Sequence, residues 1–297
     1  MEQYGERLSD LSQKIEQNPV NAWALAHRGE VYCLMRRYEE ALADLDRAIE
    51  LKPEYAWAIA HRGEVLRLSG QFEQALDDFN YAIELKDDYV WALAHRGATY
   101  RKMKCNERTL TDLNQALELK PDNVWVLINR GLVLLTMRRY EEAIADFDQV
   151  LILDKDSVSD WWPSERGLVL NFMGRYTEAI DCCKAVLQVQ PDTPISRYSL
   201  IVAETLLGDT RTKHAEITSL QSKLLSLYDV TKCNKDRAGV LYQLGGLAAL
   251  LGQNNRALNY LEATFPLDIE PMEQACHDPA WNVLRTNSRF QSLIAEL

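Results

Sequence analysis

The stretch Tyr55 to Lys86, YAWAIAHRGEVLRLSGQFEQALDDFNYAIELK, constrains this chain more than any other because it is written again on both sides of itself. One period of 34 residues earlier stands NAWALAHRGEVYCLMRRYEEALADLDRAIELK, and one period later YVWALAHRGATYRKMKCNERTLTDLNQALELK. Self-similarity at this period marks an array of helix pairs. No unit of such an array buries its apolar stripe alone, so stability comes from stacking neighbour on neighbour.

Residues 1–19 read as a capping half-repeat, since Tyr4, Leu8, Leu11, Ile15 and Pro19 precede Tyr38, Leu42, Leu45, Ile49 and Pro53 by one period. Five regular repeats fill 20–191, at about 22–53, 56–87, 90–121, 124–155 and 160–191. Each first helix carries a face such as Ile59, Gly63 and Leu66, spaced at i, i+4 and i+7. A turn marked by Ser69-Gly70 or Met173-Gly174 follows. The second helix sets Ala75, Leu76, Phe79, Ala82 and Ile83 on one stripe, and Pro53, Pro121 or Pro191 closes the unit. Two extra residues within 156–159 separate the fourth and fifth repeats, an insertion that an inter-repeat loop absorbs at little cost.

Residues 192–236 diverge. Ile195–Gly208 is patterned as a first helix with Ile201 where the others have Gly, 211–228 as a longer helix out of register, and 229–236 as a polar connection and soft joint. A further helix pair is expected over 238–265 within a C-terminal section, 237–297, whose polar tail forms a last short helix or two and caps the array.

Charge and composition narrow the function classes. Lys and Arg total 33 against 44 Asp and Glu, a formal net charge of -11, which repels phosphate backbones and argues against nucleic acid. A basic or apolar ligand is favoured. No window has the length of a membrane span and the N-terminus has no signal-type apolar run, so no membrane partner is expected and the chain reads as cytoplasmic. Cys33, Cys105, Cys182, Cys183, Cys233 and Cys276 show no CxxC or paired metal spacing and read as reduced packing thiols. Vicinal Cys182 and Cys183 leave a redox or soft-metal role open.

The signatures AWAIAHRGEVLRLSGQFEQALDDFNYAIELK, RRYEEALADLDRAIELKP and RRYEEAIADFDQVLILDK resemble the tetratricopeptide repeat family, strongly over 4–191 and fairly over 238–265. The resemblance implies an all-α, right-handed superhelical solenoid of stacked antiparallel helix pairs, with first helices lining a concave groove. It implies binding of a peptide or partner domain and no chemistry or cofactor. A family subset grips C-terminal carboxylates with a Lys/Asn/Arg constellation on this face, where this chain has Ala, Glu and His. The closing DPxWxxLRxxxRF pattern, Asp278 to Phe290, resembles the ends of many bacterial arrays of this kind.

Trp23, Trp57, Trp91, Trp125 and Trp161 stand near the start of successive first helices. Trp57 lies about 200 degrees around the helix from Ile59, at about 100 degrees per residue, beside Ala60, His61, Glu64 and Leu68. These rings either pack on the neighbouring first helix and set the repeat spacing, or form an aromatic ladder along the groove, and both can hold of one ring. Small Ala26, Ala60 and Ala94 would leave room for a ligand. His27, His61 and His95 follow three of the tryptophans by four residues, with Asn129 and Glu165 in the next two copies. Adjacent first helices lie roughly 10 Å apart, too far for these histidines to share a metal ion.

Arg28, Arg62, Arg96 and Arg130 each precede Asp44, Asp78, Asp112 or Asp146 by sixteen residues, which predicts an ion pair inside each repeat. Arg166 meets Cys182 instead and is expected to lose its partner, which makes it a candidate for binding. Glu30 and Glu64, seven residues after Trp23 and Trp57, would suit a Lys- or Arg-containing ligand; Arg67 and Arg101 would add positive charge further along. The chain has no GxSxG, GxxxxGK[ST] or HExxH pattern. The expected function is a non-catalytic interaction scaffold that binds a protein or peptide segment. Two other functions stay open. One is a regulatory sensor whose groove takes a small molecule or signalling peptide and changes superhelix shape, with the irregular stretch 192–236 as its hinge; the other is a self-associating module.

Overall fold

The computed structural model describes residues 2–154, 162–208, 210–268 and 270–295, and these are helical with short connections and no strands. The chain divides into two compact units, Met1–Met137 and Arg138–Leu297.

The first unit runs α1 (Glu2–Gln17), α2 (Ala22–Leu34), α3 (Tyr38–Leu51), α4 (Ala56–Leu68), α5 (Phe72–Leu85), α6 (Val90–Lys102), α7 (Asn106–Leu119) and α8 (Val124–Thr136). The first helices α2, α4 and α6 each pack on the second helix of their own repeat, on the second helix before it, and on the first helix of the next repeat. The half-repeat α1 lies against α2, where Leu11 is buried with Ala24 and Val31. Later layers repeat the arrangement: Ala26, Leu45, Ala58 and Val65 share one buried cluster, and Ile59, Ala60, Phe79 and Ala92 the next.

Within the first unit three of the predicted arginine–aspartate pairs form, and they do more than that. Arg28 Nε and Nη2 donate to Asp44 at 2.6 and 2.8 Å, Arg62 to Asp78 at 2.8 and 2.6 Å, and Arg96 to Asp112 at 2.9 and 2.7 Å. The remaining Nη1 crosses to the second helix of the preceding repeat. Arg62 reaches Asp46 and Arg96 reaches Asn80, both at 2.8 Å, while Arg28 reaches Ser12 at 3.3 Å. Hydrogen bonds to their carboxylates raise the pKa of Arg28 and Arg96. Removing one member of a buried pair costs roughly 3–5 kcal/mol because the other is left charged and unpaired.

The second unit contains α9 (Tyr140–Leu153), α10 (Pro163–Phe172), α11 (Tyr176–Val189), α12 (Pro194–Leu207), α13 (Thr210–Val230), α14 (Asn234–Leu250), α15 (Asn254–Glu262), α16 (Glu270–Ala275), a 3-10 helix at Pro279–Leu284 and α17 (Ser288–Ile294). The expected soft joint at 229–236 is mostly helix, because α13 runs to Val230 and α14 begins at Asn234. Its polar residues sit at helix ends, where solvent satisfies them. Ile217, Leu220 and Leu224 of α13 are buried with Leu241 and Leu244 of α14 in one core.

The C-terminal segment is anchored by apolar side chains. Trp281, Leu284 and Phe290 are buried, and a Cβ added to Gly245 would lie 2.4 Å from the Trp281 ring. Asp278, also buried, accepts from the hydroxyls of Tyr198 and Tyr242 and caps the 3-10 helix through the Ala280 N–H at 2.8 Å.

One regularity lies hidden in the turns. Gly70, where a glycine is expected, has φ 84°, but Arg36 (59°), Lys104 (60°) and Arg138 (62°) hold the same left-handed conformation one period apart. Each helix end closes alike, as in Gln71 N–H to Leu66 C=O at 2.8 Å and Cys105 N–H to Tyr100 C=O at 2.9 Å. The left-handed conformation costs a side-chain-bearing residue about 1–2 kcal/mol. Lys104→Gly is therefore expected to raise stability by about 1 kcal/mol. Gly70→Ala, whose methyl would meet nothing within 4 Å, is expected to lower it by a similar amount. Urea unfolding of the two variants checks both signs.

Candidate functional site

In the first unit α2, α4 and α6 present Trp and His four residues apart, one helical turn, so the two rings of each helix meet, and α8 presents Trp125 with Asn129 in the histidine's place. The centroids are 4.4 Å apart for Trp23–His27, 3.6 Å for Trp57–His61 and 3.9 Å for Trp91–His95. Each imidazole also contacts the indole of the next repeat, at 4.3 Å for His27–Trp57, 4.4 Å for His61–Trp91 and 4.8 Å for His95–Trp125. The rings alternate in a single column from Trp23 to Trp125. His61 and Trp91 lie within 2° of parallel, and such pairs contribute about 0.5–1.5 kcal/mol beyond area burial. Only the end rings are well exposed, Trp23 at 50% and Trp125 at 41%.

Carboxylates flank the column. Glu64 accepts from Arg67 Nε and Nη2, both at 2.6 Å, and from His95 Nδ1 at 2.9 Å. Burial pushes its pKa up, but these donors outweigh burial and hold it at about 2. Glu30 accepts from Arg7 at 2.7 Å through Oε2, which also lies 3.5 Å from His27 Nδ1; its Oε1 lies 3.9 Å from His61 Nε2. His61 Nδ1 donates to the Trp57 carbonyl at 2.9 Å. Burial between two indoles pushes the His61 pKa down to about 4, against the raising effects of that hydrogen bond and of Glu30.

A cavity of about 440 Å³ opens beside these groups, lined by Glu30, Cys33, Leu34, Arg36 and Tyr38 from the first repeat and by His61, Glu64 and Leu68 from the second, with Trp91 and His95 from the third. Leu34 and Leu68, one period apart, are 52% and 43% exposed. Burial raises the Cys33 pKa to about 11, so the group is a thiol at neutral pH.

The sequence-derived candidates divide. Trp23, His27, Trp57, His61, Trp91, His95 and Trp125 come together in the column, with Glu30 and Glu64 beside it. Asn129 is buried and donates from Nδ2 to the Trp125 carbonyl at 2.8 Å, the bond His61 makes to Trp57, so it serves its own helix. Arg166 is not free: its Nε and Nη2 donate to Asp148 Oδ1 at 2.9 and 2.7 Å. Asp148 follows Asp46, Asn80 and Asn114 at one-period steps, so Arg166 keeps the cross-repeat half of the clamp after Cys182 removes the other half. Trp161 and the insertion at 156–159 lie outside the described residues. Ala26, Ala60 and Ala94 leave no room for a ligand, since they are buried in the layer between repeats. Leu34, Cys33 and Tyr38 join the cavity lining, and in the sequence the one-period spacing of Leu34 and Leu68 at the ends of first helices is the signal for it.

Among the described residues no group of three or more His, Cys, Asp or Glu is arranged to hold a metal ion, and no helix is long and apolar enough to cross a membrane.

Family models of the tetratricopeptide repeat match residues 22–55, 126–157 and 165–193. No curated protein matches the chain by sequence. Among solved structures, a tetratricopeptide repeat protein from Parabacteroides merdae is 16% identical with TM-score 0.62, covering 92% of this chain and 97% of its own. PilF of Pseudomonas aeruginosa is 23% identical with TM-score 0.62, covering 71% and 93%. YrrB, described as having an unusual peptide-binding site, is 21% identical with TM-score 0.50, covering 63% and 95%. At these identities the likeness is one of fold.

The column should respond to acid. Unfolded His61 takes up a proton as pH falls through about 6.5, whereas the folded ring stays neutral down to about 4. Protons thus favour the unfolded chain in this window, and up to about 3 kcal/mol of stability is lost between pH 6.5 and 4. The Glu64 contribution is lost only lower, between about 4.5 and 2. His61→Asn, which can keep the backbone bond as Asn129 does, is expected to flatten the upper window, read from urea unfolding at several pH values.

Proposed function

We propose that this chain, a tetratricopeptide repeat protein by its matching repeats and its fold, binds a segment of a partner protein on the first-helix face of its first unit. The repeats are a protein-interaction scaffold, and in this reading the scaffold does no chemistry. The partner segment is apolar with basic residues. The observation that carries the reading is the cavity of about 440 Å³, which sets exposed Leu34 and Leu68 beside Trp91 and the Glu30 carboxylate. Apolar walls with a small number of fixed polar groups are what a recognition pocket offers.

The Trp–His column supports the reading indirectly. Rings that stack through successive repeats fix the spacing of the first helices, and a rigid face loses less entropy on binding than a mobile one. Trp57 and Trp91 are thus part of the framework, and the leucines beside them are the contacts a ligand meets. For this reason tryptophan replacements would confound packing with binding.

The test selects displayed random peptides on the immobilised chain and measures their affinities. Enriched peptides are expected to carry apolar and basic residues and to lose tenfold or more, about 1.4 kcal/mol, on the double variant Leu34→Asp, Leu68→Asp. Leu119→Asp, an equally exposed position on α7, should leave them unchanged. Equal binding to all three chains with unchanged helical content would remove this face from the site.

A further inference from the structure

We propose that the cavity beside the ring column is a socket for the protonated side chain of a lysine carried by the partner, an inference that rests on the peptide-binding reading and names the chemistry of its anchor. It follows from the hydrogen-bond roles of two atoms. A carbonyl only accepts, so His61 Nδ1 carries the proton donated to the Trp57 oxygen at 2.9 Å. In the neutral ring Nε2 is then a lone-pair acceptor. It faces Glu30 Oε1, another acceptor, at 3.9 Å. No hydrogen lies between the two. Among the described residues no donor bonds Oε1, since Arg7 is bound to Oε2.

Two acceptors 3.9 Å apart in the lining of one cavity call for a donor shared between them from the cavity side. An ammonium nitrogen about 2.8 Å from each would bond both at once. A guanidinium fork, shaped for the paired oxygens of one carboxylate, fits two separate acceptors less well than a compact ammonium with three rotatable donors. The walls suit the stem of the same residue: Leu34, Leu68 and the un-ionised Cys33 offer apolar surface along which a lysine's methylenes can lie. Trp91 also lines the cavity and offers a ring to a cation. Glu64 contributes its field and little free acceptor capacity, because Arg67 and His95 take three of its roughly four acceptor sites. Arg36 also lines the cavity and sets a like charge against the ligand, so a small probe should bind at millimolar strength.

The experiment titrates the full isotope-labelled chain at neutral pH with n-butylammonium, which carries the lysine stem and charge alone, and with n-butanol as its uncharged match. Saturable binding that moves the His61 ring nitrogens and the Glu30 carboxyl carbon is expected, at least tenfold tighter for the ammonium. Glu30→Gln, of the same shape, should weaken it tenfold or more, and His61→Asn, which removes Nε2, should do likewise while the helical content stays unchanged. Equal binding of the alcohol, an unmoved His61, or an unaffected Glu30→Gln variant would overturn the socket. The two readings fail separately. Selected peptides that lose affinity on the leucine variants yet bind Glu30→Gln as they bind wild type would keep the groove and discard the lysine.

Discussion

In the first unit each regular repeat is held by an arginine that ties its own helix to the second helices of two successive repeats. Arg62 shows the arrangement in full: two nitrogens on Asp78 within the repeat and the third on Asp46 of the repeat before. Because the fork is planar, these bonds fix the rotation of the first helix as well as its distance from both neighbours. Apolar packing sets how closely the helices approach; the fork sets which way each one faces. The placement of every tryptophan and histidine on the opposite side of those helices depends on that setting.

The ring column is the consequence. Once the first helices keep one rotation, residues four apart on one helix fall in line with those of the next, and the rings interleave from Trp23 to Trp125. The tryptophans of the column pack between repeats, and the histidines between them separate one indole from the next. A metal shared by the histidines is ruled out by the same interleaving, since an indole stands between each pair of imidazoles. At the margin of the column Glu30, Leu34 and Leu68 keep accessible surface.

Much of the fold was legible because a repeated sentence can only mean a repeated unit. The helix pairs, the half-repeat at the start and the arginine–aspartate pairing all follow from residues that recur one period apart. The sequence misleads where composition or a single partner stands in for the whole environment of a residue. The stretch 229–236 is polar yet mostly helical, because helix ends tolerate polar side chains as readily as loops do. Arg166 lacks an aspartate at 182, but the series Asp46, Asn80, Asn114 and Asp148 offers it a second partner. Lys104 and Arg138 hold a conformation usually given to glycine, and nothing in their chemistry announces it.

The sequence by itself determined the period, the helix pairing and the face on which the aromatic and acidic residues fall, because each is a property of spacing along one chain. It could not decide the contacts between repeats. Whether a tryptophan meets solvent or the imidazole of the next helix, and whether a carboxylate is filled like Glu64 or left with an open oxygen like Glu30, depends on distances of a few ångströms across separate helices. Those distances are set by the packing of buried alanines and leucines and by the arginine forks acting together. Only the tertiary structure brings Glu30 Oε1 and His61 Nε2 to face each other 3.9 Å apart, although they stand 31 positions apart in the chain.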